Sequence, residues 1–201
     1  SPRKNFYRHN SIEFNAAFGG YANLPAIGLH DSATIEIVVQ PFDLASRQTL
    51  LSNGPDFELY LENAQFYLSI NGEAKVLGPA TSEFQYLTLV MDSGNDRVYY
   101  YRNSTLASTV NFANLSPAAT PTGWQLAARG GSSPENFFTG LIDEVAFFDS
   151  LLTINEIQLH ASPLIGEGIE SGVSVGDARL LAYFPLDEGE GSILEDYGPN
   201  L

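Results

Sequence analysis

The chain has no cysteine, and its 9 lysines and arginines face 24 aspartates and glutamates, a formal charge of −15. The first absence removes disulfides, thiolate metal sites and thiol nucleophiles together. At 201 residues a single domain buries enough core to do without cross-links. The shortage of cations excludes nucleic acid as a partner, because phosphate backbones would be repelled over the whole surface. Hydrophobic residues make up 44% of the chain, yet none of them form an unbroken run of about 18 or more, so no membrane insertion is expected. Ser1 to Asn10 is polar, with Arg3, Lys4 and Arg8, and has no signal-peptide pattern. No internal duplication is visible. The excess of carboxylates suits solubility in a salty or extracellular medium, or leaves oxygens for a hard cation such as calcium.

What is present is period-2 alternation. In Thr34-Ile-Glu-Ile-Val-Val-Gln40, Ile35, Ile37 and Val39 alternate with Thr34, Glu36 and Val38, and Pro41 closes the run as it would close a strand. Phe57 to Leu61 and Phe66 to Ile70 repeat the pattern, and Asn71-Gly72 is a tight-turn dipeptide that predicts a partner strand through Ala74, Val76 and Leu77. Tyr86 to Met91 and Arg97 to Arg102 flank a loop of small polar residues, Asp92 to Asp96, and read as a hairpin with Leu87, Leu89 and Met91 inward. Trp124 to Ala128 and Phe138 to Phe148 add two strands. The second loses its period across Asp143 and Glu144, which predicts a bulge there.

One short helix is expected near 153–160. Thr153 and Glu156 have the spacing of a capping box, with Leu151 or Leu152 as the apolar residue before the cap, and Pro163 is expected to stop the helix near His160. Residues 162–179 contain Pro163, Gly166, Gly168, Gly172 and Gly176 and read as a strap. Residues 180–201 then supply an apolar strand, Leu180 to Phe184, and an acidic tail. A strap of about 16 residues spans roughly 50 Å when extended, enough to return the strand to its own sheet or to donate it to a neighbour.

The segment Phe138-Thr-Gly-Leu-Ile-Asp-Glu-Val145, followed by Leu152 and Glu156-Ile157, resembles the closing motif of laminin G-like, concanavalin A-like lectin/glucanase jelly rolls. Ile12 to Gln40, with Phe14, Tyr21 and Leu24-Pro25, is similar to that family's opening region. The likeness implies that Phe138, Gly140, Ile142, Asp143, Glu144, Val145, Thr153 and Glu156 are structural. Members often carry Phe-Asp-Gly and an acidic pair where this chain has Phe14-Asn15-Ala16, so the usual cation carboxylates are missing. Leu180 to Gly191 resembles the first strand of such a domain, placed here at the C-terminus.

Catalytic chemistry finds little footing. Glycosidases need two carboxyl groups across a sugar, and the adjacent Asp143 and Glu144 would point to opposite faces of a regular strand. Their expected role is bonding to a loop backbone or pairing with Arg129. His9, His30 and His160 are isolated and read as structural or surface residues. Asp92, Asn95, Asp96 and, separately, Asp187 are the oxygen-rich candidates for calcium, and the first three are equally what a hairpin turn wants. No phosphate cradle or nucleophile elbow is present. Tyr99 and Tyr101 alternate with Val98 and Tyr100 and, with Asn103, are the candidate ligand-binding row.

These readings converge on one all-β domain over 1–201, a two-sheet antiparallel sandwich. Its expected role is a non-catalytic, extracellular or surface-exposed binding module for a glycan or a surface protein. The alternatives are an assembly subunit contacting copies of itself and, less favoured, a glycoside hydrolase. Calcium is the only candidate cofactor.

Overall fold

The computed structural model describes residues 11–116, 123–130, 133–166, 172–186 and 196–198, with backbone alone for 163–166. Alternating side chains produce thirteen strands among these residues. They are β1 (Ile12–Phe14), β2 (Ala22–Ala26), β3 (Ser32–Pro41), β4 (Gln48–Asn53), β5 (Phe57–Glu62), β6 (Gln65–Ile70) and β7 (Glu73–Pro79). There follow β8 (Gln85–Asp92), β9 (Arg97–Arg102), β10 (Thr105–Asn111), β11 (Gly123–Leu126) and β12 (Gly140–Phe148). A helix, α1 (Ile154–Gly166), and β13 (Leu180–Phe184) complete the order.

The strands form two antiparallel sheets. A six-stranded sheet runs β2-β11-β4-β5-β6-β7, and a seven-stranded sheet runs β1-β12-β3-β8-β9-β10 with β13 also beside β12. β1 pairs with the first part of β12 and β13 with the second, so two short strands share one edge. In the structure the C-terminal strand therefore lies within its own chain's sandwich, where Leu180, Ala182 and Phe184 are fully buried. Between these two pairings the β12·β3 register shifts, from Ile142↔Val39 to Val145↔Ile37. This is the bulge predicted at Asp143 and Glu144.

Local turn chemistry sets the registers. Asn71 and Gly72 both take positive φ, 51° and 82°, which matches the twist of the flanking strands and brings β7 onto β6. Leu87, Leu89 and Met91 face the interior, as the alternation requires. At the centre Trp124 lies 5.1 Å from Phe57 of one sheet and 5.0 Å from Phe147 of the other. Its indole N–H donates to the Ile27 carbonyl at 2.8 Å, so the ring fills the core without leaving a buried donor unmet.

Thr153 and Glu156 form the predicted capping box: the Thr153 N–H donates to the Glu156 carboxylate at 2.7 Å, and the Glu156 N–H to Thr153 Oγ1 at 3.4 Å. Leu152, rather than Leu151, is the apolar residue buried before the cap, in one cluster with Ile157. The expected stop near His160 is corrected, because α1 continues through Pro163 to Gly166, and the strap expected from 162 accordingly begins inside the helix. Proline removes one rung of the ladder and does not oblige the backbone to leave helical angles when the helix is about to end. The His160 carbonyl accepts from the Gly172 N–H at 2.9 Å, which turns the chain back toward β13. The strand expected over Trp124 to Ala128 is also shorter: it ends at Leu126, where Ala127 takes φ 63°.

Candidate functional site

The two outer faces of the sandwich differ. On the seven-stranded sheet, residues that alternation turns away from the core are buried by α1: Val38 and Tyr86 pack with Ala161, and Val90, Ala146 and Phe148 with Leu152 and Ile157. Glu36 lies beneath the helix, where one carboxylate oxygen is 2.8 Å from His160 Nδ1 and the other accepts from Thr88 Oγ1 at 3.2 Å. Burial, then the Glu36 carboxylate, then Glu144 and Tyr183, push the Tyr86 hydroxyl well above its ordinary range. Thr34 Oγ1 donates to the Ser150 carbonyl and accepts from the Leu152 N–H, fixing the approach to the helix.

On the six-stranded sheet the helix is absent among the described residues, and polar and aromatic side chains form continuous rows across the strands. The two-residue turn at Asn63 and Ala64, with φ of 49° and 57°, sets Tyr60 directly opposite Tyr67. Their rings stack at 4.9 Å with an interplanar angle of 6°. The Arg47 guanidinium lies over Tyr60, 4.0 Å from the ring centroid, an arrangement that favours a flat delocalised cation. Burial raises the Tyr60 hydroxyl above its usual range, Arg47 opposing and Glu58, Glu62 and Tyr67 adding to the shift.

Glu58 anchors this face. Its carboxylate accepts from Thr49 Oγ1 at 2.6 Å and from Arg47 Nη2 at 2.8 Å, and Arg129 Nε approaches to 3.7 Å. The carboxylate is nearly buried, at 6%, whereas Arg47 and Arg129 are 36% and 39% exposed. Two cations on one buried anion satisfy its charge and leave guanidinium donors facing outward, since each guanidinium carries five N–H groups. Arg129 also pairs with Glu135 at 3.0 Å. Beside them Gln125 Nε2 donates to Asn23 Oδ1 at 2.9 Å, and Ser52 Oγ accepts from the Gly130 N–H at 2.9 Å. Arg47 Nε and Gln125 Oε1 are buried polar atoms with no hydrogen-bond partner among the described residues. One is a donor and the other an acceptor, and both lie beneath the surface of this face.

The residues singled out from sequence are distributed as follows. Tyr99 and Tyr101 lie on the helix side, half-buried against the cluster containing Val90, Phe148 and Leu152. Asn103 sits in the β9–β10 turn with φ 49°, and its Oδ1 accepts from the Tyr86 N–H at 2.9 Å. Asp92 accepts from Asn95 Nδ2 at 2.7 Å, and Asp96 Oδ1 accepts from the Leu115 N–H at 2.8 Å. These oxygens serve the turn, and among the described residues no group of three or more His, Asp or Glu is placed to hold a metal ion. Asp187 and His9 lie outside the described residues. His30 meets Asp149 at the surface, at 2.8 Å. Phe138, Ile142 and Val145 are core residues, Gly140 opens β12, and Asp143 and Glu144 are almost wholly buried at the bulge. Glu156 also receives Arg179 Nη2 at 2.6 Å, and the same nitrogen reaches Asp177 at 2.6 Å.

Sequence reasoning missed Arg47, Glu58, Tyr60, Tyr67 and Gln125. The signal for the tyrosines was available: in Phe57 to Leu61 and Phe66 to Ile70, the residues between the inward apolar ones are Glu58, Tyr60, Tyr67 and Ser69, and they must share the other face. Nothing local announces Arg47 or Arg129, which arrive from the β3–β4 and β11–β12 connections.

The architecture and the motif agree with the comparisons. The chain belongs to the concanavalin A-like lectin/glucanases superfamily, whose laminin G-like family profile matches residues 15–158. No curated protein matches the chain at a significant level of sequence similarity. Among solved structures, a candidate carbohydrate-binding protein from Bacteroides ovatus superposes with a TM-score of 0.71 at 15% identity, over 94% of this chain and 56% of that one. This chain thus spans little more than half of that relative's length. The CBM40 module of the Ruminococcus gnavus IT-sialidase, bound to α2,3-sialyllactose, gives 0.57 at 17% identity, over 76% of this chain and 97% of the module. Domain 4 of the arabinanase AbnA from Geobacillus stearothermophilus, in complex with arabinotriose, gives 0.53 at 18%, over 68% and 69%. At these identities the likeness establishes the fold. Among the described residues no helix is long and apolar enough to cross a membrane.

Proposed function

We propose that the chain is a non-catalytic glycan-binding module, working outside the cell or at its surface, and that it takes its ligand on the outer face of the six-stranded sheet. One observation carries this reading: two partly exposed arginines held by the buried Glu58, beside the Tyr60–Tyr67 stack and the Gln125 amide. A sugar hydroxyl both donates and accepts, which matches the partly exposed Arg47 and Arg129 guanidinium groups as donors and the exposed Glu135 carboxylate beside them as an acceptor. Ordering is already complete before a ligand arrives, since Glu58 fixes the guanidinium groups and stacking fixes the rings, and preorganisation reduces the cost of binding. Hydrolysis is not favoured, because the Glu58 carboxylate is nearly buried and both its oxygens already accept from Thr49 and Arg47, so it is turned to its own chain rather than to a sugar. The superfamily's carbohydrate-binding modules, found beside sialidase and arabinanase domains, support the same reading and its location.

The test is binding of α2,3-sialyllactose, arabinotriose and a printed panel of other defined glycans to the wild type and to three variants. Arg47→Ala and Tyr67→Ala are expected to lower affinity at least about tenfold, a loss of roughly 1.4 kcal/mol. The Tyr99→Ala/Tyr101→Ala double variant is expected to bind as the wild type does. The reverse pattern would move the site to the helix side, and unaltered binding by all three variants would refute a protein surface at either place.

A further inference from the structure

Three aromatic side chains stand in solvent at one end of the sandwich. Phe18 is 86% exposed, Phe42 50% and Tyr21 40%. Phe18 and Tyr21 belong to the β1–β2 connection and Phe42 to the β3–β4 connection, and one residue ties the two together. Thr139 accepts from the Ala16 N–H through Oγ1 at 3.1 Å and from the Phe42 N–H through its carbonyl at 3.0 Å, while its own N–H donates to Gln48 Oε1 at 2.7 Å. Tyr21 lies 6.2 Å from Phe137, ring to ring. Phe18 is displayed on a fixed support: a single 3-10 turn, Ala16–Phe18, with Asn15 Oδ1 accepting from the Ala17 N–H at 2.9 Å and Gly19 closing it at φ 63°. Exposed rings on a firmly held turn have no role in the core and present flat apolar faces.

The same two connections that bring Phe42 and Phe137 to this end carry Arg47 and Arg129 to the sheet face. We infer that the glycan ligand is an oligosaccharide of several units, bound along a strip that runs from the polar floor at Arg47, Tyr67 and Gln125 to an aromatic rim at Phe18, Tyr21 and Phe42. This rests on the proposed glycan-binding reading and adds chain length and a second subsite to it. The floor supplies hydrogen bonds to hydroxyls, and the rim supplies ring faces for the C–H faces of further sugar units. The segment Phe14 to Tyr21 carries no charged residue, and the chain's charge of −15 repels anionic lipid surfaces and polyanions. A predominantly neutral sugar chain fits both facts.

The experiment uses a printed series of defined neutral oligosaccharides from one unit to six, with the wild-type chain, a Phe18→Ala/Phe42→Ala variant and the Tyr67→Ala floor variant, and with sedimentation of each. Both rim residues are exposed, so the variant is expected to keep the wild-type melting temperature. The wild type should bind longer members more tightly than the monosaccharide. The rim variant should lose roughly three- to tenfold per ring on the long members and nothing on the shortest. Equal affinity along the series, or a rim variant that binds every member as the wild type does, overturns the rim and leaves the floor standing. A wild type that binds no glycan at all, there or among the acidic members of the wider panel, overturns both. A dimeric wild type made monomeric by the rim substitutions, with unchanged glycan affinity, assigns the rim to a second copy of the chain and overturns the proposal.

Discussion

Replacing Gly140 by alanine would put a methyl group where the structure has none to spare. A Cβ built there lies 2.7 Å from the Phe138 ring and closer still to the Gln40 carbonyl oxygen, and the backbone holds φ at +155°. The ring has nowhere to go, because Phe138 is fully buried, and the carbonyl belongs to β3, paired with β12 through Gly140↔Pro41 and Leu141↔Gln40. Relief requires parting the two strands at this point. A disfavoured backbone conformation costs about 1–3 kcal/mol and overpacking a similar amount, so the expected loss is about 3–5 kcal/mol, a large part of the 5–15 kcal/mol typical of a domain. The neighbouring Thr139 is the residue that gathers the Ala16 and Phe42 connections, so displacement here should also loosen the rim. Urea titration checks the first part, with the midpoint falling and the slope unchanged. Gly28→Ala is the control: nothing lies within 4 Å of its added carbon, and it should stay within about 0.5 kcal/mol of the wild type. A Gly140→Ala protein as stable as that control would refute the steric argument.

Two further expectations concern stability. Thr153 and Arg179 hold the Glu156 carboxyl at about 2, and Arg179 holds that of Asp177 at about 2. Both values are depressed on folding, so these groups stabilise the fold above the ordinary carboxyl value and lose that contribution as pH falls from 4.5 toward about 2. An Arg179→Met variant should show a shallower decline across that window in a series of urea titrations, and an identical slope would count against the linkage. Removing residues 180–201 takes away β13 and with it the fully buried Leu180, Phe184 and Leu186. At about 1.5–3 kcal/mol for each large side chain, the shortened chain should unfold or aggregate; a monomer with the parent's melting temperature would show that β13 is dispensable.

The jelly-roll sandwich was legible because its determinants are local. Ile35, Ile37 and Val39 declare an inward face through alternation alone, Asn71-Gly72 declares its turn through the dihedrals those residues tolerate, and Thr153 with Glu156 declares a helix start by hydrogen bonds within one turn. The bulge could be read from the broken period at Asp143 and Glu144 for the same reason. Pro163 does not end the helix, because the one rung it removes lies in the last turns before the end at Gly166.

Alternation by itself determined which residues of a strand share a side. It did not determine what covers that side, because coverage depends on which distant elements pair. Glu36 and His160, 124 positions apart, become a buried pair only because α1 folds over the seven-stranded sheet. Tyr99 and Tyr101 were drawn to that same covered face. Arg47, Glu58 and Arg129 meet on the six-stranded sheet only after β4, β5 and β11 are neighbours. The sequence thus specified two layers and their hairpins through short-range sterics and hydrogen bonding, and long-range packing alone decided which layer the helix would cover.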